Sequence, residues 1–455
     1  MTKTAQREGE VAILGLGKSG TAAAKLLLAD GKRVYVSDAG TAPGIQDIAR
    51  QLRDLGAAVD VGAHDLARIA RASRVVVSPG IDPSAPPIAA ARDAQVPLVS
   101  EIEVALGYLD ETRMIAVTGT NGKTTTTALI GHILRGLGET AVDAGNIGTP
   151  LTDFARRDQR PDWIALEMSS FQLHDTPSLA PDVGVLTNLS PDHLDRYPTA
   201  DDYYADKALL FTNASASSRW VLNKDDARVA KMTSGVAGTS HWFSLREKAD
   251  AWLDDASGTL QLLEKPLMSR SEINLLGDHN VANALAAALA VSVADDRFRT
   301  AQAREGIAAA LRTFNALAHR LEIVGEENGV QWINDSKATN VSSSLVAIAG
   351  MRRPTVLLLG GRHKGEPYTG LADAIRKSVK KIIAYGEAGP IIGKDLEGVV
   401  PIEVLGSDFD EVMEHARASA ASGDAVLLSP ACSSYDMFRN YEERGARFRE
   451  LAMAG

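Results

Sequence analysis

A single cysteine, Cys432, stands in a chain of 455 residues, which excludes an internal disulfide and any zinc site built from several thiolates, and fits a reducing compartment. Positive charge is in short supply as well. The 48 Lys and Arg against 58 Asp and Glu give a formal net charge of -10. Nucleic acid and acidic membranes call for a basic face, so neither is expected as a partner, and any phosphate binding must be local. Long hydrophobic runs are also missing. The longest apolar stretch, residues 281–294, is Ala-rich, interrupted by Asn283 and too short to span a bilayer, so it reads as a buried helix. The polar opening, residues 1–10, has no apolar core of an export signal. A soluble, cytoplasmic protein without membrane insertion is expected, and neither a repeat nor a low-complexity tract complicates the pattern.

What is present is a rhythm. Short β-branched runs at 11–14, 34–36, 75–77, 115–117, 163–166 and 183–186, and again at 330–333, 356–359, 382–384 and 426–428, are each followed by a Gly-rich or polar turn and a helical pattern. This is the signature of βαβ units and mostly parallel sheets, hence an α/β protein. The length exceeds what one hydrophobic core supports. Junctions fall near Ser100, after the Pro-rich stretch 83–97, and over residues 311–319, which predicts three domains at 1–100, 101–316 and 317–455. Residues 213–272 show scattered apolar runs without a readable period.

Two glycine-rich turns follow strands. Residues 15–20 read GLGKSG, lead into an apolar helix and are followed by Asp38 at the end of the next strand. Such glycines permit a tight turn, and the helix N-terminus offers N–H groups to a pyrophosphate; NAD, FAD, a nucleotide-sugar, or a turn that binds nothing all fit. Residues 118–125 read TGTNGKTT. Backbone N–H groups of such a loop cradle phosphates, Lys123 neutralises them and the Thr124 hydroxyl reaches Mg2+, although Val117 occupies the first glycine position of the usual motif. The run 163–166 ends in Glu167, where parallel-sheet enzymes place a metal ligand or water-orienting acid. The run 183–186 is followed by Asn188, Asp192 and His193, and Lys207 lies on the helix beyond. Alone, Asp192 reads more readily as a helix cap and His193 as a loop histidine, a reading that loses ground because three consecutive strands end in polar clusters along the same sheet edge.

Together these parts resemble the Mur ligase family, which includes the folylpolyglutamate synthases. The resemblance rests on residues 119–125, on 167–170, on Asn188 with Asp192, His193, Leu194 and Asp195, on His279, Asn280 and Asn283, and on His319 with Arg320. The Val117 variant of the loop is part of that likeness. Residues 169–173, 192–197, 334–340, 360–365 and 429–438, with Tyr441, Arg444 and Gly445, point to the D-glutamate-adding branch. No Asn-Pro dipeptide of the diaminopimelate- or lysine-adding branch occurs.

The resemblance implies a Rossmann-like N-terminal domain, a central P-loop ATPase-type domain and a C-terminal Rossmann-like domain. It implies ATP-dependent ligation of D-glutamate to UDP-N-acetylmuramoyl-L-alanine through an acyl phosphate, by a monomer using ATP and two Mg2+ ions. Gly17, Lys18, Ser19, Asp38, Gly80 and Asn146 would contact the UDP-sugar, and Ser169 the substrate. Gly119, Thr120, Asn121, Gly122, Lys123, Thr124, Thr125, Asn280, Asn283, Arg320, Asp335 and Lys337 would serve ATP. Thr124, Glu167, His193 and Lys207 would form the metal set, with Lys207 carbamylated and Lys123, Glu167, His193 and Lys207 acting in catalysis. Thr339, Lys364, Ser434 and Tyr441, on a scaffold at 428–430, would receive D-glutamate. Ala39 and Gly40 depart from the polar uracil contacts of relatives, and Tyr441 replaces a familiar phenylalanine. Closure of the third domain is expected, because an acyl phosphate must be kept from water.

Overall fold

The computed structural model describes residues 9–109, 112–157, 159–193 and 196–454; Leu194 and Asp195 of the quoted run lie outside the described residues. Its strands form three sheets. The first contains β1 (Val11–Leu14), β2 (Val34–Asp38), β3 (Ala58–Val61), β4 (Arg74–Val77) and β5 (Leu98–Val99), in the order β3-β2-β1-β4-β5, all parallel. The second contains β6 (Arg113–Thr118), β7 (Ala141–Gly145), β8 (Trp163–Glu167), β9 (Val183–Leu186), β10 (Arg219–Asn223), β11 (Thr239–Ser244), β12 (Ala251–Asp254), β13 (Thr259–Leu262) and β14 (Lys265–Ser269). Their order is β14-β13-β12-β11-β10-β9-β6-β8-β7. The third contains β15 (Glu322–Glu327), β16 (Val330–Asn334), β17 (Thr355–Gly360), β18 (Val379–Tyr385), β19 (Ile402–Val404) and β20 (Ala425–Leu428), in the order β15-β16-β20-β17-β18-β19.

All ten strand runs read from the sequence are strands. They are buried on both faces, and so appear as continuous apolar runs. In the third sheet the period of two is explicit: Trp332, Val356, Leu358, Ile383 and Val426 belong to one buried cluster, and Ile333, Leu357, Leu359, Ile382 and Leu427 to another. The unreadable stretch at 213–272 supplies β10 to β14, with β12 and β13 paired antiparallel. β11 to β14 are half-exposed and so carried little apolar signal, and the buried run of β10 is only the three residues 220–222.

The chain forms two compact units. One comprises the described residues up to Met268 together with Asn283–Leu311, and the other Ser269–Ala282 with those from Arg312 onward. The first two sheets share a unit because one buried cluster runs from Ile13 and Val36 to Ile164, Leu186 and Leu222. The chain at Ser100 is stitched into it, Ser100 N donating to Asp175 O at 2.7 Å while Ser100 Oγ and Thr176 Oγ1 pair at 2.7 Å. The Ala-rich run lies in the helix Asp278–Ala294, buried as expected. Among the described residues no helix is long and apolar enough to cross a membrane.

Candidate active site

β1 turns through the first glycine loop into the helix Lys18–Ala29. Gly15 has φ 98°, and a Cβ at Gly20 would sit 2.0 Å from Gly15 O, so neither position accepts a side chain. Gly17 is the N-cap and brings no capping side chain, leaving the helix amides directed at the loop mouth. Asp38 fastens the loop: Oδ2 accepts from Leu16 N at 2.7 Å and Oδ1 from Gly40 N at 2.7 Å. Lys18 and Gly80 are exposed and Ser19 is half-buried.

β6 leads into the second loop, capped by Gly122 at φ 82°, and then into the helix Lys123–Gly136. The turn beyond β9 grips this loop. Thr120 N donates to Asn188 O at 2.9 Å, Asn121 N to Asn188 Oδ1 at 2.9 Å, Asn188 Nδ2 to Asn121 O at 3.0 Å and Thr187 Oγ1 to the same carbonyl at 2.6 Å. A Cβ on Gly119 would lie 2.0 Å from Thr187 Oγ1, and one on Gly122 2.4 Å from Asn283 Oδ1. Asn283 also accepts from Thr126 Oγ1 at 3.3 Å, whereas Asn280 donates to Leu276 O at 2.8 Å. Thr124 and Thr125 are buried in the first helical turn. The Lys123 ammonium donates to Gly119 O at 2.9 Å and Thr120 O at 2.7 Å, folded back across the mouth of its own loop.

Beside the loop, β8 pairs with β6 so that Glu167 stands opposite Val117. Glu167 is 2% exposed; Oε1 accepts from Asn146 Nδ2 at 2.9 Å, while Oε2 is buried without a hydrogen-bond partner. A desolvated, unmatched carboxylate oxygen is costly, and a divalent cation is a group that matches it. Asn146 therefore orients Glu167, a link that its expected sugar contact did not suggest. Ser169 caps the short helix Ser170–His174 in a box with Gln172, so its hydroxyl has a structural task. Lys207 is 1% exposed, with Nζ 4.5 Å from the Tyr203 ring centroid. Burial first, then the Lys123 charge, push its amine well below the usual lysine range, against the opposing pull of Asp192 and Glu167. His193 has φ 54° and meets Phe171 edge-on, ring centroids 5.4 Å apart. Among the described residues no three His, Cys, Asp or Glu side chains converge into a metal cage.

In the other unit, Asp335 follows β16 and is fully desolvated, which raises its carboxyl to about 7 despite the Ser429 and Leu321 hydrogen bonds and the Arg320 charge. Ser429 Oγ donates to Asp335 Oδ2 at 2.8 Å and Leu321 N to Oδ1 at 3.2 Å. Lys337 Nζ lies 5.1 Å from the Tyr441 ring centroid, Thr339 is half-buried, Lys364 exposed and Ser434 buried. The loops bearing them meet on Arg444, 0% exposed, whose guanidinium donates to Ser336 Oγ at 2.9 Å, Ser336 O at 2.8 Å and Cys432 O at 3.1 Å. The sequence reading quoted Arg444 in a motif but gave it no role; nothing in its neighbours along the chain reveals a buried arginine.

Three family models match the chain in succession. The Mur ligase MurD-like N-terminal domain matches residues 9–100, the Mur ligase middle domain 117–291 and the Mur ligase glutamate ligase domain 319–432. UDP-N-acetylmuramoylalanine–D-glutamate ligase of Desulfatibacillum aliphaticivorans is 36% identical over 98% of both chains. The protein of that name from Gloeobacter violaceus is 38% identical over 98% of this chain and 99% of its own. Among solved structures, the UDP-N-acetylmuramate-alanine ligase MurC of Thermotoga maritima superposes with TM-score 0.63 at 19% identity, covering 98% of this chain and 99% of its own. MurF of the same organism, solved with ADP, gives 0.62 at 16% identity over 92% and 94%; both likenesses speak to the fold. With three family domains matched in order along the chain and relatives of more than one third identity over nearly its whole length, this chain belongs to the Mur ligase family.

Proposed function

We propose that the chain is an ATP-dependent amide ligase that joins D-glutamate to UDP-N-acetylmuramoyl-L-alanine in peptidoglycan precursor synthesis, giving ADP and phosphate. The observation that carries the chemistry is the alignment of the phosphate loop with Glu167, whose open oxygen lies at the neighbouring strand end. A carboxylate is a poor electrophile and must be activated. Its oxygen attacks the γ-phosphorus of ATP, ADP departs, and an acyl phosphate results. The amine of D-glutamate then attacks the carbonyl carbon and loses a proton, and the tetrahedral adduct collapses to amide and inorganic phosphate.

Each group has a task in this sequence. The amides of residues 119–125 receive the phosphates, and the Lys123 ammonium exchanges the carbonyls of Gly119 and Thr120 for phosphate oxygens. Thr124 and Glu167 would hold one Mg2+, with a second near His193 and Lys207; the ions supply charge neutralisation for phosphoryl transfer. Lys207, whose amine burial drives toward its neutral form, can add CO2 through that neutral amine and release a proton, giving an anionic oxygen donor. Asn283, Asn280, Arg320, Asp335 and Lys337 serve ATP. Gly17, Lys18, Ser19, Asp38 and Gly80 receive the UDP-sugar, and Thr339, Lys364, Ser434 and Tyr441 the D-glutamate carboxylates. The functional division 1–100, 101–316 and 317–455, a monomeric state and a cytoplasmic location complete the reading.

The test is phosphate release with ATP, UDP-N-acetylmuramoyl-L-alanine and a panel of amino acids including D- and L-glutamate. Release confined to D-glutamate is expected; release with L-glutamate alone would sink the substrate assignment. A 13C carbamate resonance from labelled bicarbonate, absent in Lys207→Ala, reports the lysine chemistry, and its absence from the unmutated protein refutes it.

A further inference from the structure

Arg196 has no part in the roles above, yet it touches both sides of the first unit's chemistry. Its Nη2 donates to Gly80 O at 3.4 Å and Ile81 O at 3.3 Å, in the loop beyond β4. Its guanidinium carbon lies 4.8 Å from the Phe171 ring centroid. Phe171 in turn stacks on Tyr197, with centroids 5.2 Å apart and planes 13° from parallel, and meets His193 edge-on. Tyr197 OH donates to Asp206 Oδ2 at 2.8 Å, and Asp206 immediately precedes Lys207. Two short paths thus join the Gly80 loop to the cluster of His193 and Lys207.

Between the two walls lies a cavity of about 200 Å³, lined by Val77, Ile81, Ile88, Leu98, Phe171 and Tyr197 among others. Ser100 and Asp175, hydrogen-bonded to each other, tie the walls on one side of that cavity, and on the side of the Gly80 loop the polar and aromatic bridge of Arg196 joins them. We propose that Arg196 is a positioning residue: it clasps the Gly80 loop to Phe171 and thereby sets the UDP-sugar against the phosphoryl-transfer centre. The proposal rests on the reading of that loop as a UDP-sugar contact. Arginine suits the task because its planar guanidinium stacks on a ring while its N–H groups reach two carbonyls, a combination lysine lacks.

The experiment uses the full chain with Arg196→Met, Arg196→Lys, Phe171→Leu and the Arg196→Met/Phe171→Leu double variant. Calorimetry measures binding of UDP-N-acetylmuramoyl-L-alanine, and steady-state kinetics gives KM for all three substrates. Both Arg196 variants should raise Kd and KM for the UDP compound about five- to tenfold, leaving KM for ATP and D-glutamate and the melting temperature unchanged. The double variant should be no worse than the poorer single, since both residues act in one clasp. Recovery of affinity in Arg196→Lys, a parallel rise in all three KM values, or additive effects would overturn the proposal. An unmutated chain that binds no UDP compound overturns the reading of the Gly80 loop and the clasp with it; equal binding by the unmutated chain and Arg196→Met overturns the clasp alone.

Discussion

Three buried ionisable side chains sit where an uncompensated charge is expensive, and each is held differently. Glu167 keeps one oxygen bonded to Asn146 and one open; Lys207 is driven toward its neutral form by burial and by Lys123; Asp335 is driven toward its protonated form by burial. The last has a measurable consequence. A carboxyl whose folded pKa is raised from 3.8 to about 7 contributes stability that is fully present below 3.8 and lost as pH rises through about 7. Asp335→Asn, which retains an acceptor for Ser429 Oγ, should therefore flatten that pH dependence and stabilise the chain by roughly 1–3 kcal/mol above pH 7, while depressing turnover. Chemical denaturation across pH 4 to 8 checks this; a variant with the same pH dependence as the unmutated chain would show that Asp335 is not the group responsible.

At the scale of elements, the chemistry collects at the carboxyl ends of parallel strands, where turns leave the sheet and helix amides begin. β6, β8 and β9 are adjacent in the sheet, so residues 119–125, Glu167 and the 187–193 turn become neighbours although more than 60 residues separate the first from the last. The glycine that caps the phosphate loop is fixed twice over, by its positive φ and by the Asn283 amide against it. Gly122→Ala should cost about 1–3 kcal/mol in stability and raise KM for ATP more than that for D-glutamate. Thermal unfolding and initial rates read both, and unchanged KM values would mean that the loop relaxes freely. The helix that follows has four consecutive threonines directly after its first residue, Lys123, poor helix formers, and it is tertiary burial of that turn that keeps it helical.

For the whole molecule, the expected closure is tested by small-angle scattering. Addition of a non-hydrolysable ATP analogue with UDP-N-acetylmuramoyl-L-alanine should reduce the radius of gyration, and an unchanged value would count against closure.

The α/β class, the ten buried parallel strands and both glycine loops were legible in the sequence because they depend on local causes: apolar runs of strand length, glycine where a turn needs positive φ, and polar residues at the strand ends. β10 to β14 were not legible, since β10 offers a buried run of only three residues and the half-exposed β11 to β14 are specified by the partner they extend. Nor could any local pattern foretell that Asn146 would orient Glu167 across 21 residues, that Lys207 would be buried beside Lys123, or that Arg196 would reach Gly80 across 116. The sequence determined which residue types could do the chemistry; only the tertiary structure decided their burial, their partners and hence their charge, because desolvation and hydrogen-bond matching are properties of the packed neighbourhood.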